Sequence, residues 1–453
     1  MILPADQVES HDFTLYPAHN DSYSLIIHAD QHLANRTDDI RQFNEMVVPD
    51  INSTIKKRWA EGRQVYSLSL GDISWEQFWT ANSFGLKDAA KCLETLDCQT
   101  FHSIGNHDNN PYVSDDWLSS SIFRQNIAPT YYSFNIGEVH YVVLDNVIYN
   151  NPGASPSEMG DRTYDRAISS DQLAWLKADL ATISDKTTPL VVCGHVPFLS
   201  APKLSGQNAV TGRNLLNMTE FEKIVADFSN VTIFSGHYHR NSTVDSPYVA
   251  GMKEYNVASL SGTLWWTGNK GYADNHICTD GSPGGYGILD VDGKSMSYRY
   301  KSIGYEENYQ FRVYDLNTVL IDKTKVSNII YREKVKEYAD VYFTPNNNNE
   351  ILVNVFNWGP GWKIEITEEG KKLSVKRLTA KDPLHILSYE CQRLSHGALP
   401  TATATLSTQN SIHFFKATAT KVTSSICVTV TDDSGRTYTQ TIKRPKKFST
   451  EMR

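Results

Sequence analysis

Side chains that can hold metal ions occur in five short segments of the chain, each directly after an apolar run. They comprise two carboxylates, four imidazoles and one amide: Asp30, His32, Asp72, Asn106, His195, His237 and His239. Such donors suit hard or borderline divalent cations, and a carboxylate can bridge two of them. Two cations about 4 Å apart can activate a water and bind both reacting oxygens of a phosphoryl transfer. Two divalent ions against two carboxylates leave a formal surplus of about +2, which fits an anionic phosphate ester.

The seven residues together indicate a metal site more strongly than any one of them does alone. A single histidine is more often a structural or surface residue than a ligand, whereas seven donors at the ends of apolar runs favour a joint site. His239 follows His237 by two residues, so both point to the same side of an extended segment. Asp145 also ends an apolar run, but we expect it to structure a loop. His28 and His102 lie within apolar runs, and we expect them to pack in the core.

Six short apolar runs position these side chains. They occupy residues 25–29, 66–70, 101–104, 141–144, 190–193 and 231–235. Continuous apolar runs of this length are typical of strands that are buried on both faces. Ligands of open α/β sheets gather at the carboxyl ends of such strands. The sequence therefore predicts a site that several loops assemble at one edge of a sheet.

Helical patterns alternate with these runs. We predict helices at 40–59, 86–96, 170–180 and 219–228, with Ser170 as the N-cap of the third. The alternation indicates a largely parallel or mixed sheet in a layered α/β fold. Residues 286–301 predict a hairpin with an Asp-Gly turn.

The pattern changes after about residue 303. Residues 351–357, 362–366 and 426–431 alternate at period two between clusters of turn residues, which is typical of an all-β sandwich. A chain of 453 residues also exceeds the size at which one core stops growing. We predict an α/β domain over 1–302, with a layered β-sandwich core and flanking helices, and an all-β sandwich domain over 303–453.

Composition excludes several classes of partner. The formal charge is −8 and no long basic stretch occurs, so we expect no nucleic-acid partner. The six cysteines form no C-x-x-C pair, which argues against a zinc knuckle or a disulfide scaffold. No apolar stretch approaches the ~20 residues of a membrane span, so we expect no integral membrane segment. No signal-peptide pattern occurs at Met1.

Five motifs in order resemble those of the calcineurin-like metallophosphoesterase family. The motifs D-x-H, G-D, G-N-H-[DE], G-H and G-H-x-H occur here as Asp30-Gln31-His32, Gly71-Asp72, Gly105-Asn106-His107-Asp108, Gly194-His195 and Gly236-His237-Tyr238-His239. The resemblance implies that residues 1–302 are the catalytic domain. The Trp265-Trp266 segment and the carboxyl-terminal β module of this chain resemble those of a bacterial branch of the family that has an added β-sandwich. That resemblance suggests an extracytoplasmic location.

The resemblance also implies a role for each motif residue. Asp30, His32 and His239 would hold one metal ion, and Asn106, His195 and His237 the other. Asp72 would bridge the two ions, which would be divalent or trivalent Mn, Fe or Zn. His107 would stabilise or protonate the departing alkoxide, and Asp108 would orient His107.

The chain departs from the motifs of two groups within the family, which narrows the choice of group. Protein Ser/Thr phosphatases show G-D-x-x-D-R-G, whereas this chain has Gly71-Asp72-Ile73-Ser74-Trp75-Glu76. Purple acid phosphatases place a tyrosine ligand three residues after the bridging aspartate, where this chain has Trp75. We therefore predict that an iron-loaded protein lacks the tyrosinate-to-iron colour.

The predicted function is hydrolysis of a phosphomonoester through in-line attack by a metal-bridging hydroxide. The alternatives are a phosphodiesterase acting on a lipid-headgroup, nucleotide or glycan-linked diester, and a non-catalytic binding scaffold. The substrate would be a small-molecule, glycan-linked or lipid-linked phosphoester. Trp265-Trp266 would form an apolar wall above the substrate or fill the seam between domains. Arg213 and His276 are candidates for holding a phosphate oxygen.

Overall fold

Two stacked β-sheets form the amino-terminal part of the protein. The computed structural model describes residues 20–268, 273–397 and 406–453. From edge to edge, the first sheet contains Ser295–Ser302, Gly285–Asp292, Ser22–His28, Gln64–Ser69 and Gln99–His102. The second sheet contains Ser242–Asp245, Met252–Asn256, Val231–Ser235, Leu190–Cys193, Val139–Val143 and Tyr132–Ile136. All six predicted runs are strands. The prediction of a single sheet edge was wrong, because three runs belong to each sheet.

Strand direction brings the carboxyl ends of the six runs to the same end of the stack. The three runs in each sheet are mutually parallel. Antiparallel strands flank them, so both sheets are mixed, as predicted. The predicted hairpin is confirmed: Asp292 pairs with Ser295, and Gly293 in the turn adopts a φ of +56°.

The facing sheets bury a common apolar layer. Leu25 and Leu68 of the first sheet pack with Val143, Val191 and Phe234 of the second. Successive side chains of a strand point to opposite faces, so Ile26 packs instead with the helices outside the first sheet. Burial on both faces explains why these strands are continuous apolar runs.

Helices cover the outer faces of both sheets. The segment predicted over 40–59 is one continuous helical stretch with a π-helical middle, comprising Asp39–Gln42, Phe43–Val47 and Val48–Ala60. The other α-helices of this part are Leu86–Leu93, Asp116–Ser119, Ser121–Asn126, Ser170–Ala181 and Met218–Val225. The predicted N-cap at Ser170 is off by one residue. Ser169 has extended backbone, and its hydroxyl accepts a hydrogen bond from the Gln172 amide.

Two antiparallel four-stranded sheets form the carboxyl-terminal part. One contains Phe311–Asp315, Glu350–Val355, Ser411–Thr418 and Val375–Ala380, and the other Lys371–Lys372, Lys363–Glu368, Ser425–Thr431 and Thr437–Lys443. Val353 and Val428 pack between them. The predicted fold class, a layered α/β part followed by a β-sandwich part, is confirmed. The boundary at residue 303 stays a prediction.

Short elements complete the described chain. The two-stranded ribbons are Val147–Asn150 with Thr163–Arg166 and Lys203–Ser205 with Asn208–Val210. Short helices are Glu76–Phe78, Asn106–Asp108, Leu316–Thr318, Lys323–Lys325, Arg332–Val335, Lys336–Ala339, Asp340–Phe343, Pro383–His385, Ile386–Glu390 and Cys391–Ser395. No helix among the described residues combines the length and apolar character needed to cross a membrane.

A buried polar group connects the sandwich to the loop that carries His237 and His239. His413 lies on a sandwich strand, and its Nε2 is 3.2 Å from Asp280 Oδ2. The same oxygen accepts a hydrogen bond of 3.0 Å from the amide of Asn241, two residues beyond His239.

Candidate metal centre

Two groups of candidate ligands meet at Asp72 between the ends of the two sheets. In one group, single donor atoms of Asp30, His32, Asp72 and His239 all lie within 4.8 Å of one another. In the other, the same holds for Asp72, His195 and His237. Asn106 adjoins the second group, since its Oδ1 is 3.1 Å from His195 Nε2. The structure thus brings all seven sequence-predicted ligands together, and Asp72 is common to both groups.

The distances between ring nitrogens fit shared cations. His32 Nε2 is 3.0 Å from His239 Nε2, and His237 Nδ1 is 3.2 Å from His195 Nε2. A cation about 2.0–2.1 Å from each of two imidazoles holds their nitrogens about 3 Å apart when the ligand angle is near 90°. Two metal ions could therefore be held here, one in each group, with carboxylate between them.

Most of the candidate ligands have unusual backbone conformations. Five of the seven have left-handed φ angles: Asp30 (+57°), His32 (+47°), Asp72 (+52°), His237 (+70°) and His239 (+54°). Non-glycine residues are uncommon in this region. Each such residue costs of order 1–3 kcal/mol, and such strain clusters at functional sites. The fold therefore accepts strain at the positions that direct these side chains inward.

Hydrogen bonds fix the orientation of the ligands. His195 Nδ1 donates to the Leu70 carbonyl at 2.9 Å, which leaves Nε2 to face the site. His237 Nε2 lies 3.1 Å from the hydroxyl of Tyr164, which leaves Nδ1 for a metal. The Asp30 carboxylate accepts the amide of His237 at 3.0 Å, so loops from both sheets are joined at the ligands themselves.

Burial and neighbouring charges together set the charge of the ligands. Burial is the main reason that the pKa values of His32 and His237 lie well below the ordinary value, and neighbouring histidines lower them further. Both rings are therefore neutral, as metal ligation requires. Burial opposes ionisation of Asp72, but His195 and His107 outweigh it and lower the Asp72 pKa well below its usual range.

His107 lies beside this cluster and is held by a residue that the motifs did not indicate. Its Nδ1 is 2.6 Å from Glu76 Oε2, and the other oxygen of Glu76 pairs with Arg162 Nη1 at 3.0 Å. Burial alone would lower the pKa of His107, but the carboxylates of Glu76 and Asp72 outweigh it and raise the pKa to about 9. Glu76 follows Asp72 by four residues but belongs to none of the five motifs, so no local pattern indicated it.

The prediction that Asp108 orients His107 was wrong. The Asp108 carboxylate instead accepts backbone amides of Ile73, Ser74 and Gly105 at 3.0–3.3 Å. A short acidic side chain at the third position of the Asn106–Asp108 helical turn reaches back to the turn's own amino end, not to the ring beside it. Asp108 therefore stabilises the loops that carry Asp72 and Asn106.

A cavity of about 640 Å³ opens over the cluster. Trp75 and Trp266 line it, as do the guanidinium-bearing side chains of Arg36, Arg162 and Arg240. Trp75, which follows Asp72 by three residues, lies beside the cluster, and its ring centre is 5.6 Å from that of His32. The predicted absence of tyrosinate colour stays a prediction.

Other predicted positions fall outside the cavity lining. Trp265 is fully buried, and its indole donates to the Gln31 carbonyl, so only Trp266 forms a wall. Arg213 is an exposed side chain that pairs with Glu222. His276 Nε2 instead contacts the Leu260 carbonyl at 2.7 Å.

The non-ligand predictions have mixed outcomes. Asp145 accepts the amide of Val147, the loop role that we expected. His28 is fully buried, with Nε2 3.0 Å from the Ser67 hydroxyl, as expected for the core. His102 is only half-buried, because it lies on the edge strand of the first sheet.

Two family models match the chain. The model "Calcineurin-like phosphoesterase" matches residues 23–241, which include all seven candidate ligands. The model "C terminal of Calcineurin-like phosphoesterase" matches residues 254–438. The second match supports the predicted resemblance to members with an added carboxyl-terminal domain, while a bacterial origin stays a prediction.

Individual relatives share shorter segments. Purple acid phosphatase 18 of Arabidopsis thaliana is 30% identical over 145 residues, which cover 30% of this chain and 28% of that protein. Purple acid phosphatase 22 of the same plant is 30% identical over 139 residues, with coverages of 31% and 27%. The chain thus matches less than a third of the length of these curated relatives.

Solved structures with similar folds include two enzymes. Purple acid phosphatase PPD1 from yellow lupin seeds has 11% identity and a TM-score of 0.37, covering 63% of this chain and 52% of that one. The 5'-nucleotidase from Candida albicans has 11% identity and a TM-score of 0.36, with coverages of 80% and 74%. From the two family models, which together match most of its length, the chain belongs to the calcineurin-like phosphoesterase family.

Proposed function

We propose that the protein is a dinuclear-metal phosphoesterase that hydrolyses a phosphomonoester. The observation that carries the proposal is the pair of ligand groups that share Asp72, with His107 beside them at a cavity large enough for an organic substrate. Asp30, His32 and His239 would hold one ion, and Asn106, His195 and His237 the other. Bound metal ions would supply an activated water and positive charge for the phosphoryl oxygens.

His107 would supply the proton for the leaving group. Glu76 occupies its Nδ1, so Nε2 is the ring atom left to face the substrate. The carboxylates of Glu76 and Asp72 raise the pKa of the ring, which favours its protonated form. As the attacking water oxygen bonds to phosphorus, the bond from phosphorus to the leaving oxygen breaks and that oxygen takes the Nε2 proton, so the products are an alcohol and inorganic phosphate. Glu76 stabilises the cationic ring before transfer and keeps it in position.

The test compares two variants of the metal-loaded protein. Asp72→Asn should reduce metal content below two ions per chain and abolish phosphate release, because it removes the shared carboxylate charge. His107→Gln should retain both ions and lower kcat by about 10²- to 10⁴-fold, the usual contribution of general acid catalysis. Elemental analysis and a phosphate-release assay with Mn²⁺, Fe²⁺ or Zn²⁺ measure both effects. His396→Gln, at an exposed histidine of the sandwich part, is the matched control.

Three outcomes would contradict the proposal. Equal metal loss in both variants would refute the separate roles of Asp72 and His107. Faster hydrolysis of a bis-aryl phosphate than of the aryl monophosphate would favour the phosphodiesterase alternative. A fully metallated protein that releases no phosphate from any ester would favour a binding scaffold.

A further inference from the structure

The cavity above the ligand cluster is cationic although the chain is acidic. The formal charge of the whole chain is −8, yet three arginines and a single carboxylate, Asp72, are among the residues that line this cavity. Arg162 forms an ion pair with Glu76. Among the described residues, no ion pair involves either of the other two, Arg36 and Arg240.

Arg36 is held by aromatic rings in place of a carboxylate. Its guanidinium carbon lies 4.7 Å from the ring centre of Trp75, 5.3 Å from that of Phe78 and 5.2 Å from that of Trp266. One Nη2 contact of 3.3 Å reaches the Leu264 carbonyl, and the buried Nε has no hydrogen-bond partner among the described residues. Aromatic faces stabilise the cation and fix its plane, but they leave the donor edge of the guanidinium unsatisfied.

Arg240 is the second cation of the lining that forms no ion pair with another described residue. It directly follows His239, and its guanidinium carbon lies 5.6 Å from the ring centre of Tyr238. Arg36 follows His32 by four residues, and the Nε2 atoms of His32 and His239 are 3.0 Å apart. The two arginines therefore extend from loops that converge on the same ligand group. Both side chains are half-buried, so each guanidinium is partly shielded from water.

Such groups match an anion that arrives with the substrate. A guanidinium that is removed from water and not paired is costly, and a bidentate carboxylate or phosphate is the partner that its geometry favours. The metal cluster would already bind the scissile phosphate, so these arginines would need a second anionic group. Trp75 and Trp266 line the same cavity and offer flat apolar surfaces to the body of the substrate.

We propose that the substrate is a phosphoester with a second anionic group, a carboxylate or a phosphate, on an apolar or aromatic body, and that Arg36 and Arg240 bind this second group. The inference rests on the proposed function, since the metal cluster is taken to bind the scissile phosphate. It makes these two arginines determinants of specificity that no motif of the family indicated.

The test uses two substrates of nearly equal size. One is 6-carboxy-2-naphthyl phosphate and the other its neutral 6-carboxamide, both assayed with the metal-loaded full chain. The wild-type kcat/KM should favour the carboxylate about tenfold or more, mainly through KM. One charge-assisted hydrogen bond contributes enough binding free energy for a preference of this size. Arg36→Gln and Arg240→Gln should each lower that preference at least about threefold.

Controls separate recognition from folding. Arg213→Gln, at an exposed arginine held by Glu222, should keep the full preference. Arg36→Lys retains the charge without the planar fork and should give an intermediate preference. Melting temperatures of all variants report whether a substitution has destabilised the fold. A wild-type preference below about twofold, or an unchanged preference in both glutamine variants, would overturn the inference.

Failure of the proposed function would be visible separately. The corresponding phosphonates, in which a methylene group replaces the ester oxygen and so prevents hydrolysis, would be titrated by calorimetry against the same proteins. Selective binding of the carboxylate phosphonate without turnover of either phosphate would refute the phosphoesterase proposal and retain the arginine subsite. Turnover of both phosphates without selectivity would retain the phosphoesterase proposal and refute the arginine subsite.

Discussion

At the scale of single residues, Glu76 controls the proton on His107. Its carboxylate raises the pKa of that ring, whereas Arg162 lowers it. In Glu76→Gln the His107 pKa should fall by about one unit or more, because the negative charge 2.6 Å away is removed. In the proposed mechanism the protonated ring is the active form, so the alkaline decline of kcat/KM should begin at a lower pH. A pH–rate profile of the metal-loaded variant measures the shift.

Arg162→Gln is the control of opposite sign. Loss of the guanidinium removes a charge that disfavours protonation of His107, so the alkaline decline should stay in place or move to higher pH. If both variants shift the decline downward, the pair with Glu76 does not set the charge of His107.

The sequence indicated the metal ligands better than it indicated the residues that hold the neighbouring side chains and loops in place. Each ligand lies within a short motif that can be recognised locally, and all seven converge. Glu76 acts on a ring that is 31 positions away in sequence, which no local pattern shows. Asp108 is adjacent to His107, but its oxygens are used by backbone amides, so proximity in sequence gave the wrong partner.

At the scale of elements, two glycines allow the first-sheet loops to touch. A Cβ at Gly105 would overlap the backbone nitrogen and the carboxylate of Asp72, and a Cβ at Gly71 would lie 2.6 Å from the Gly105 nitrogen. Gly105→Ala should therefore displace Asp72, lower the metal content and cost about 1–3 kcal/mol of stability. Elemental analysis and urea unfolding measure these effects. Gly85→Ala, where a Cβ has no neighbour within 4 Å, should retain the metals; equal losses in both variants would contradict the steric argument.

Glu307 attaches the helix Val48–Ala60 to the first sheet. It pairs with Lys57 at 2.8 Å and Arg58 at 2.9 Å, and with Arg299 of the neighbouring strand at 3.3 Å. Burial would raise its pKa, but these cations outweigh burial and lower it to about 2. The stabilisation is therefore complete above about pH 4.5 and is lost as pH falls through about 2. Glu307→Gln should cost about 1–2 kcal/mol at pH 7, after allowance for solvent screening, and clearly less at pH 3.

Urea unfolding at the two pH values measures this difference. Glu333→Gln removes an exposed carboxylate that pairs with Lys323, and it should change stability by less than about 1 kcal/mol at either pH. A cost for Glu307→Gln that is equal at pH 7 and pH 3 would show that packing, not charge, is lost.

At the scale of the whole molecule, the sandwich supports the metal centre through Asp280. Burial opposes ionisation of this carboxyl group, but His413 outweighs it and lowers the Asp280 pKa. His413→Phe leaves the carboxylate without its main partner and should cost about 1–3 kcal/mol. Because Asp280 also holds the amide of Asn241 beside the His237–His239 loop, metal affinity should fall as well.

Metal titration and urea unfolding of the full chain separate the two effects. His396→Gln should alter neither quantity, since that side chain is exposed on the same part of the protein. Reduced stability with unchanged metal affinity would confine the Asp280 contact to a structural role.

The fold class could be predicted from periodicity, but the assembly of layers could not. Apolar runs report burial, and every predicted run is a strand. They do not report which strands pair, so Leu25–Ala29 and Val231–Ser235 gave no sign that they belong to different sheets. The contact of Asp280 with His413 spans 133 residues of sequence and likewise has no local signature.

The seven ligands come from two separate sheets, and this has a consequence for the lifetime of the native state. Each ion would act as a cross-link between layers that are otherwise joined by side-chain packing and hydrogen bonds. Extraction of the ions by a chelator should therefore speed unfolding much more than it slows refolding, because the cross-links can form only after the layers have aligned. The half-life of the protein at elevated temperature would then depend on the metal supply of the cell that makes it.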